Sequence, residues 1–209
     1  LITAINSTNV ESCVSEQVCE HLNFEIPVMT NVSVYETSTT TGKDSILWSY
    51  PKELNTTLYP GPYHYQLYRS DNYGGGVETL VLTTSPQVSI LNPDTVFTDV
   101  TLATETIPYT YRVELFSNNL LLGSSLNASS IFLGLTPNDN QIYLSWVEDI
   151  PWSNYSYEIY KESPTSSGNF ILIGTTTTIG FTDTGLINGS TYCYKVKTIG
   201  HYTSSGIID

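Results

Sequence analysis

The chain has 209 residues, with 20 acidic and 7 basic side chains and a formal net charge of -13. An acidic excess of this size repels phosphate groups, so it excludes nucleic acid as a partner and argues against binding to an anionic membrane surface. Hydrophobic residues make up 40% of the chain. They are not gathered in any stretch long enough to span a bilayer, so we expect no membrane insertion.

Short runs of β-branched and aromatic residues, separated by turn residues, follow one another along the chain and predict β-strands. No segment of ten or more residues has the apolar stripe of an amphipathic helix. The predicted strands are Val28–Tyr35, Asp44–Tyr50, Tyr63–Arg69, Glu78–Thr83, Val96–Val100, Tyr109–Phe116, Leu121–Leu133, Gln141–Val147, Tyr155–Lys161, Phe170–Thr175, Ile179–Asp183 and Thr191–Ile199.

An internal repeat divides these strands into two series. Four blocks recur in the same order, and together they predict two tandem immunoglobulin-like β-sandwiches of about 100 residues each. We place the first domain at 25–130 and the second at 131–209, where the last strand is not evident. The matched blocks are Ser45–Trp48 with Ile142–Trp146, Tyr65–Arg69 with Tyr157–Lys161, Phe97–Asp99 with Phe181–Asp183, and Tyr109–Val113 with Tyr192–Val196.

A third, partial copy opens the chain. Leu1–Ile5 is similar to Lys195–Ile199, the end of the penultimate strand of the second domain. By this match, Cys13–Leu22 takes the position of a last strand. Residues 1–24 are therefore predicted to be a remnant hairpin of a preceding sandwich domain.

Pairs of residues at equivalent positions of the two copies are candidates for the structural core. An aromatic side chain removes about 150–250 Å² from water on burial, enough to organise a small core. Such sandwiches also contain a tyrosine corner, in which a buried tyrosine bonds backward to the preceding loop. Tyr111 and Tyr194 are candidates for this corner. Tyr109 and Tyr192 have the same strand parity as Tyr111 and Tyr194, so either pair fits the corner. The core candidates are Trp48 and Trp146, Tyr111 and Tyr194, and Leu102 and Leu186.

No pattern of residues typical of catalysis, cofactor binding or metal binding occurs in the sequence. His21, His64 and His201 share no local motif with cysteines or paired acids. Zinc-protease, nucleophile-elbow and phosphate-loop motifs are all missing. We therefore expect no catalytic residues, no cofactor, no metal site and no enzymatic activity.

Several longer strings resemble a known bacterial family. The blocks around the tryptophans and tyrosines resemble fibronectin type III domains. Tyr59–Ser70, Leu135–Asn140, Asp149–Tyr155 and Asn188–Tyr194 are similar to regions of gliding-motility-associated C-terminal-domain proteins. This resemblance implies a protein exported across the outer membrane by the type IX route, located outside the cell or at its surface, with a role in adhesion or gliding.

Three cysteines, Cys13, Cys19 and Cys193, leave the pairing open. A local Cys13–Cys19 bridge, free thiols, and a Cys19–Cys193 link are the alternatives. In the resembling family, a string like Ser15–Cys19 ends the strand that follows the equivalent of Cys193. A sandwich without its final strand exposes a ladder edge, which the N-terminal segment of a neighbouring chain could occupy by strand donation.

The leading hypothesis is a structural and interaction module that spaces or presents other domains. Its partner is expected to be a protein or polysaccharide surface, and no recognisable motif identifies it. The alternative is a carbohydrate-binding module or an accessory domain of a secreted hydrolase. Trp152 and Tyr155 are the candidate sugar-stacking residues, because they fall in a loop and at a strand start rather than in the predicted cores.

Overall fold

The computed structural model describes residues 25–74 and 76–203, and all its regular elements are antiparallel β-strands. This confirms the predicted all-β fold class. No helix occurs in the described residues, and so none of them could form a membrane-spanning helix. The remnant predicted for residues 1–24 lies outside the described residues.

The first sandwich packs two sheets around one apolar core. One sheet has the order β1-β2-β5, and the other has the order β4-β3-β6-β7, with β8 also pairing with β6. This division of strands is that of a fibronectin type III-like sandwich. The strands are β1 (Val28–Glu36), β2 (Gly42–Ser49), β3 (Tyr63–Asp71), β4 (Thr79–Thr83), β5 (Val96–Leu102), β6 (Tyr109–Ser117), β7 (Leu120–Ser124) and β8 (Ala128–Ser129).

The second sandwich repeats this plan with fewer paired strands among the described residues. Its sheets have the orders β9-β10-β13 and β12-β11-β14. Its buried core contains Leu144, Trp146, Tyr157, Ile159 and Tyr194. The strands are β9 (Phe132–Asn138), β10 (Gln141–Val147), β11 (Ser153–Ser163), β12 (Ser166–Thr176), β13 (Gly180–Thr184) and β14 (Tyr194–His201).

Strand β2 shows why the sequence folds in this way. Its side chains alternate between buried and half-buried, and the buried series is Gly42, Asp44, Ile46 and Trp48. Successive side chains of a strand point to opposite faces of its sheet, so this series faces the opposing sheet. The alternation therefore places Trp48 in the core, and it places a carboxyl group there as well.

One predicted strand was wrong. Residues 121–133 do not form a single strand but belong to β7, β8 and β9. Strand β7, which pairs with β6, ends at Ser124. The next residue, Ser125, contacts β6 through its side chain, whose Oγ accepts a hydrogen bond from the Val113 N–H at 3.0 Å. After β8 the chain crosses to the second sandwich. The segment contains no proline; serine and asparagine residues lie at the breaks, and pairing with β6 sets where β7 and β8 end.

Candidate functional site

The two sandwiches contact each other at a junction that polar groups hold together. The junction consists of Met29, Tyr73 and Ser129 from the first sandwich and Val147, Asp149, Trp152 and Tyr202 from the second. The Ser129 N–H donates to the Asp149 carbonyl at 2.8 Å, and the Asp149 N–H donates to Ser129 Oγ at 2.7 Å. The Tyr73 hydroxyl donates to the Val147 carbonyl at 2.8 Å. Reciprocal bonds of this kind fix both the distance and the orientation of β8 and the loop that follows β10.

Aromatic side chains close the other side of the junction. Trp152 is half-buried and packs against the core of the first sandwich, although it belongs to the second. Its ring meets Tyr202 edge-on, with ring centroids 6.0 Å apart. The Tyr202 hydroxyl donates to the Met29 carbonyl at 2.6 Å, which links β1 to the residue after β14.

The two candidate sugar-stacking residues lie in different surroundings. Trp152 belongs to the junction, so part of its ring is covered by the first sandwich. Tyr155 has 54% of its surface exposed and contacts His201 edge-on at 5.4 Å. The structure therefore does not pair them as one stacking platform, because each ring contacts a different neighbour.

A polar cluster that the sequence analysis did not identify lies inside the first sandwich. Asp44 and Asp99 stand directly opposite each other on β2 and β5. The Tyr111 hydroxyl lies 3.1 Å from Asp44 Oδ2 and 3.3 Å from Asp99 Oδ2. Arg69 forms an ion pair with Asp99 at 2.8 Å. The cluster thus places two carboxyl groups and one cation around a single buried hydroxyl.

Burial makes the two carboxyl groups unequal. Asp44 is fully buried, and the resulting desolvation raises its pKa from 3.8 to about 7. The Tyr111 hydrogen bond opposes this rise, and the charge of Asp99 adds to it. Asp44 Oδ1 has no hydrogen-bond partner among the described residues. With a pKa of about 7, Asp44 is about half protonated at neutral pH, whereas Asp99 is bonded to the Arg69 cation.

The second sandwich contains a reduced version of this cluster. Lys161 forms an ion pair with Asp183 at 2.8 Å, and the Tyr194 hydroxyl donates to the same carboxylate oxygen at 2.9 Å. Ile142 faces Asp183 across the strands, where Asp44 faces Asp99 in the first sandwich. The second carboxyl group is therefore specific to the first sandwich.

The signal for these clusters was present in the sequence. The repeated blocks end in Arg69 or Lys161 and in Asp99 or Asp183, and the matching tyrosines follow. Asp44 also has the strand parity of Trp48, which indicates burial. The repeat identifies equivalent strands, but it does not by itself show that these charged residues meet in space.

The tyrosine corner is formed by Tyr109 and Tyr192. The Tyr109 hydroxyl accepts a hydrogen bond from the Ala103 N–H at 3.0 Å, and the Tyr192 hydroxyl accepts one from the Ile187 N–H at 2.9 Å. Tyr111 and Tyr194 instead donate to the buried carboxylates. The repeat thus contains two tyrosines for two tasks, one at the corner and one in the polar cluster.

The six core candidates all lie inside the sandwiches. Trp48 and Trp146 have 3% and 1% of their surfaces exposed. Trp48 contacts Tyr65 edge-on, and Trp146 packs against Tyr157 in a tilted arrangement. Both indole Nε1 atoms are buried without a hydrogen-bond partner among the described residues. The buried set also includes Leu102, Tyr111, Leu186 and Tyr194.

The cysteines and histidines do not come together in the described part of the chain. Cys193 is exposed and forms no disulfide with any described residue, and Cys13 and Cys19 lie outside the described residues together with His21. His64 is buried and stacks on Phe116, and burial lowers its pKa. No group of three or more histidine, cysteine or acidic side chains is placed to hold a metal ion within residues 25–74 and 76–203.

Comparisons with known proteins add a structural likeness only. No protein-family model matches the chain, and no curated protein matches it. Among solved structures, the FN1–FN3 domains of chicken CNTN1 resemble it with a TM-score of 0.34 and 12% sequence identity, over 94% of this chain and 70% of that chain. The fold described above follows from the strand order and registers of this chain itself.

Proposed function

We propose that this chain is a non-catalytic structural module that holds two fibronectin type III-like sandwiches in a fixed relation and thereby spaces or presents other domains. The junction is the observation that supports this function. A spacer must resist bending, and three backbone carbonyls and two backbone amides of the junction are bonded across it. A flexible linker would leave these groups to water.

We further propose that the module belongs to a secreted or cell-surface bacterial protein of the gliding type, exported by the type IX route. The support is the resemblance of Tyr59–Ser70 and Asn188–Tyr194 to that family. The acidic charge is compatible with a setting outside the cell, where it favours solubility. Adhesion or gliding would then be the task of the whole assembly, to which this chain contributes length and stiffness.

The spacing function is tested by measuring the distance between the sandwiches. Spin labels at positions 88 and 187, both highly exposed, would be introduced in a chain whose three cysteines are replaced by serine. Double electron–electron resonance should give one narrow distance distribution. The double variant Tyr73→Phe with Ser129→Ala, which removes two junction bonds, should broaden it.

The matched control is Tyr35→Phe, which removes a hydroxyl from a ring that is 74% exposed. It should leave the distribution unchanged. A broad distribution in the parent chain would contradict the proposal, because sandwiches that already move independently cannot act as a stiff spacer.

Saccharide binding is the second candidate function. The exposed ring of Tyr155 is the observation in its favour, since flat aromatic surfaces stack on sugars. The same argument does not extend to Trp152, whose ring is engaged by the junction. An accessory domain of a secreted hydrolase would share this surface and would differ only in the domain to which it is joined.

A further inference from the structure

We propose that the open edge of β12 pairs with the same edge of a second copy of this chain, so that the second sandwiches of the two copies share one continuous sheet. β12 pairs with β11 on one side, and no strand of the described residues pairs with its other side. The equivalent strand of the first sandwich, β4, also stands at the end of its sheet. An open outer edge is therefore a property of this strand position in both sandwiches.

The strands β4, β5, β9 and β13, which stand at other sheet ends, carry features that oppose pairing with another chain. β4 has five residues, β9 contains Pro137, and β5 and β13 turn Asp99 and Asp183 inward. Short strands, prolines and inward-pointing charges are common ways of protecting a sheet edge. β12 has 11 residues, with no proline and no charged side chain among them. Its edge is thus open to an added strand.

The direction of the backbone groups along β12 follows from the ladder on its other side. The Glu162 N–H donates to the carbonyl of the residue before β14 at 2.9 Å, so the backbone groups of Glu162 point away from β12. Those of the preceding residue, Lys161, point toward β12, where its partner is Ile171. The N–H and C=O groups of Phe170 and Leu172, on either side of Ile171, are therefore directed outward from the sheet edge.

A two-fold axis at Ile171 gives the pairing that these groups allow. Phe170 of one copy then forms a hydrogen-bonded pair with Leu172 of the other, and the two Ile171 side chains lie directly opposite each other. The register between β11 and β12 shifts at Ile173 and again between Phe170 and Ser166, so Phe170–Leu172 is the regular part of the edge. One short stretch from each copy makes a small interface, and interfaces below about 1,200 Å² are typically weak and transient.

Apolar side chains beside this edge are open to solvent. Ile171 is 46% exposed, and Ile179, in the connection from β12 to β13, is 56% exposed. The first sandwich has a longer connection at this place, residues 84–95, whose Ile90 packs against the core. In the second sandwich the connection consists of residues 177–179. Contact between the Ile171 side chains of two copies would remove apolar surface from water, which favours the pairing.

Charge and symmetry favour a second copy as the partner. No charged side chain occurs from residue 163 to residue 182, although the whole chain has a net charge of -13. Two copies repel each other through their acidic surfaces, and this neutral segment lets them approach with little repulsion. A strongly charged partner strand would find no opposite charge within β12. Identical strands also satisfy both open edges at once, because an antiparallel pair is symmetric.

Disulfide trapping tests the register of the pairing. In the full chain with its three native cysteines replaced by serine, Ile171→Cys places two thiols at the two-fold axis. Residues directly opposite at a non-hydrogen-bonded position have Cα atoms about 4.5 Å apart, within the range of a disulfide. Mild oxidation with copper phenanthroline should therefore give a covalent dimer on non-reducing electrophoresis. Thr175→Cys is the matched control, exposed on the same strand. Its two copies would lie about 27 Å apart along the strands, so it should stay monomeric.

Opposite charges at the same position test whether the pairing is symmetric. Sedimentation velocity of the parent chain in reductant should show self-association that strengthens between about 50 mM and about 500 mM salt, because salt screens the acidic surfaces. Ile171→Lys and Ile171→Glu should each weaken it at least about tenfold, since like charges directly opposite each other are destabilising. An equal mixture of these two variants should restore association as a heterodimer. Thr175→Lys should associate like the parent chain.

Three outcomes would overturn the proposal. The first is equal crosslinking, or equal lack of it, in Ile171→Cys and Thr175→Cys. The second is a mixture of folded Ile171→Lys and Ile171→Glu chains that stays monomeric. The third is a monomeric parent chain whose Leu172 amide is protected from hydrogen exchange, because another segment of the same chain would then occupy the edge. Circular dichroism checks that the charged variants fold, and the cysteine variants decide the question if they do not.

Discussion

Asp44 occupies an environment that is unusual for a carboxyl group. It lies in the core series of β2, opposite Asp99, with one oxygen bonded to Tyr111 and the other without a partner among the described residues. Like charges directly opposite each other in a sheet are destabilising, and a buried charge is costly unless it is paired. Protonation of Asp44 removes both costs, so its protonation state controls the stability of the first sandwich.

The pH dependence of folding should reflect this. The folded-state pKa of Asp44, about 7, lies above its ordinary value of 3.8. Its contribution to stability is therefore fully present below about pH 4 and is lost as the pH rises through 7. A shift of this size corresponds to about 4 kcal/mol as an upper bound. Asp44→Asn should stabilise the protein at pH 8 by about 1–3 kcal/mol and flatten the dependence, as measured by urea unfolding at pH 5 and pH 8.

Asp99→Asn serves as the matched comparison, because it changes the other carboxyl group of the cluster. It breaks the ion pair with Arg69 and leaves a half-buried cation without its carboxylate partner. We expect it to destabilise the protein, since removing one member of a buried pair is costly. If the two asparagine variants had the same effect at pH 8, the unequal roles assigned to the two carboxyl groups would be wrong.

At the scale of the strand, the alternation of side chains explains how much the sequence predicts. Periodicity indicated Gln141–Val147 correctly to the residue, because turn residues flank it on both sides. It did not indicate the breaks between β7, β8 and β9, which depend on pairing with β6 and on Ser125. The junction was also not predictable, since Ser129 ends the short strand β8, Asp149 lies in the loop after β10, and the two have no motif in common.

The two tryptophans at equivalent strand positions should contribute similarly to their own sandwiches. Trp48→Ala and Trp146→Ala should each lower the free energy of unfolding by about 3–5 kcal/mol, because both rings are almost fully buried. Chemical denaturation followed by circular dichroism measures this loss. Tyr35→Ala, which truncates an exposed ring of β1, should change stability by less than about 0.5 kcal/mol. A loss below about 1 kcal/mol for either tryptophan would contradict its role in the core.

At the scale of the whole chain, the junction makes one sandwich depend on the other. Trp152 belongs to the second sandwich but packs on the core of the first. Trp152→Ala should therefore destabilise by about 1–2 kcal/mol, less than a fully buried ring. Hydrogen-exchange mass spectrometry should show faster exchange around Met29 in this variant. Exchange that increases only within residues 132–201 would mean that the two sandwiches are not coupled.

Tyr155→Ala, compared with Trp152→Ala, distinguishes the two candidate functions. A structural module should show no saccharide binding on a polysaccharide array, and Tyr155→Ala should leave its stability nearly unchanged, because that ring is more than half exposed. Binding that disappears in Tyr155→Ala but persists in Trp152→Ala would favour the carbohydrate-binding function instead.

The hydrogen bond between Tyr202 and Met29 determines how the molecule transmits mechanical tension. It joins residues that are 173 positions apart, one in the first described strand and the other just after the last one. A pulling force applied between these two segments acts first on this contact and on the Trp152 ring beside it, because both lie on the shortest path between them. The strands of both sandwiches carry the load only after the contact opens. The chain would then lengthen first at the junction, while each sandwich is still folded.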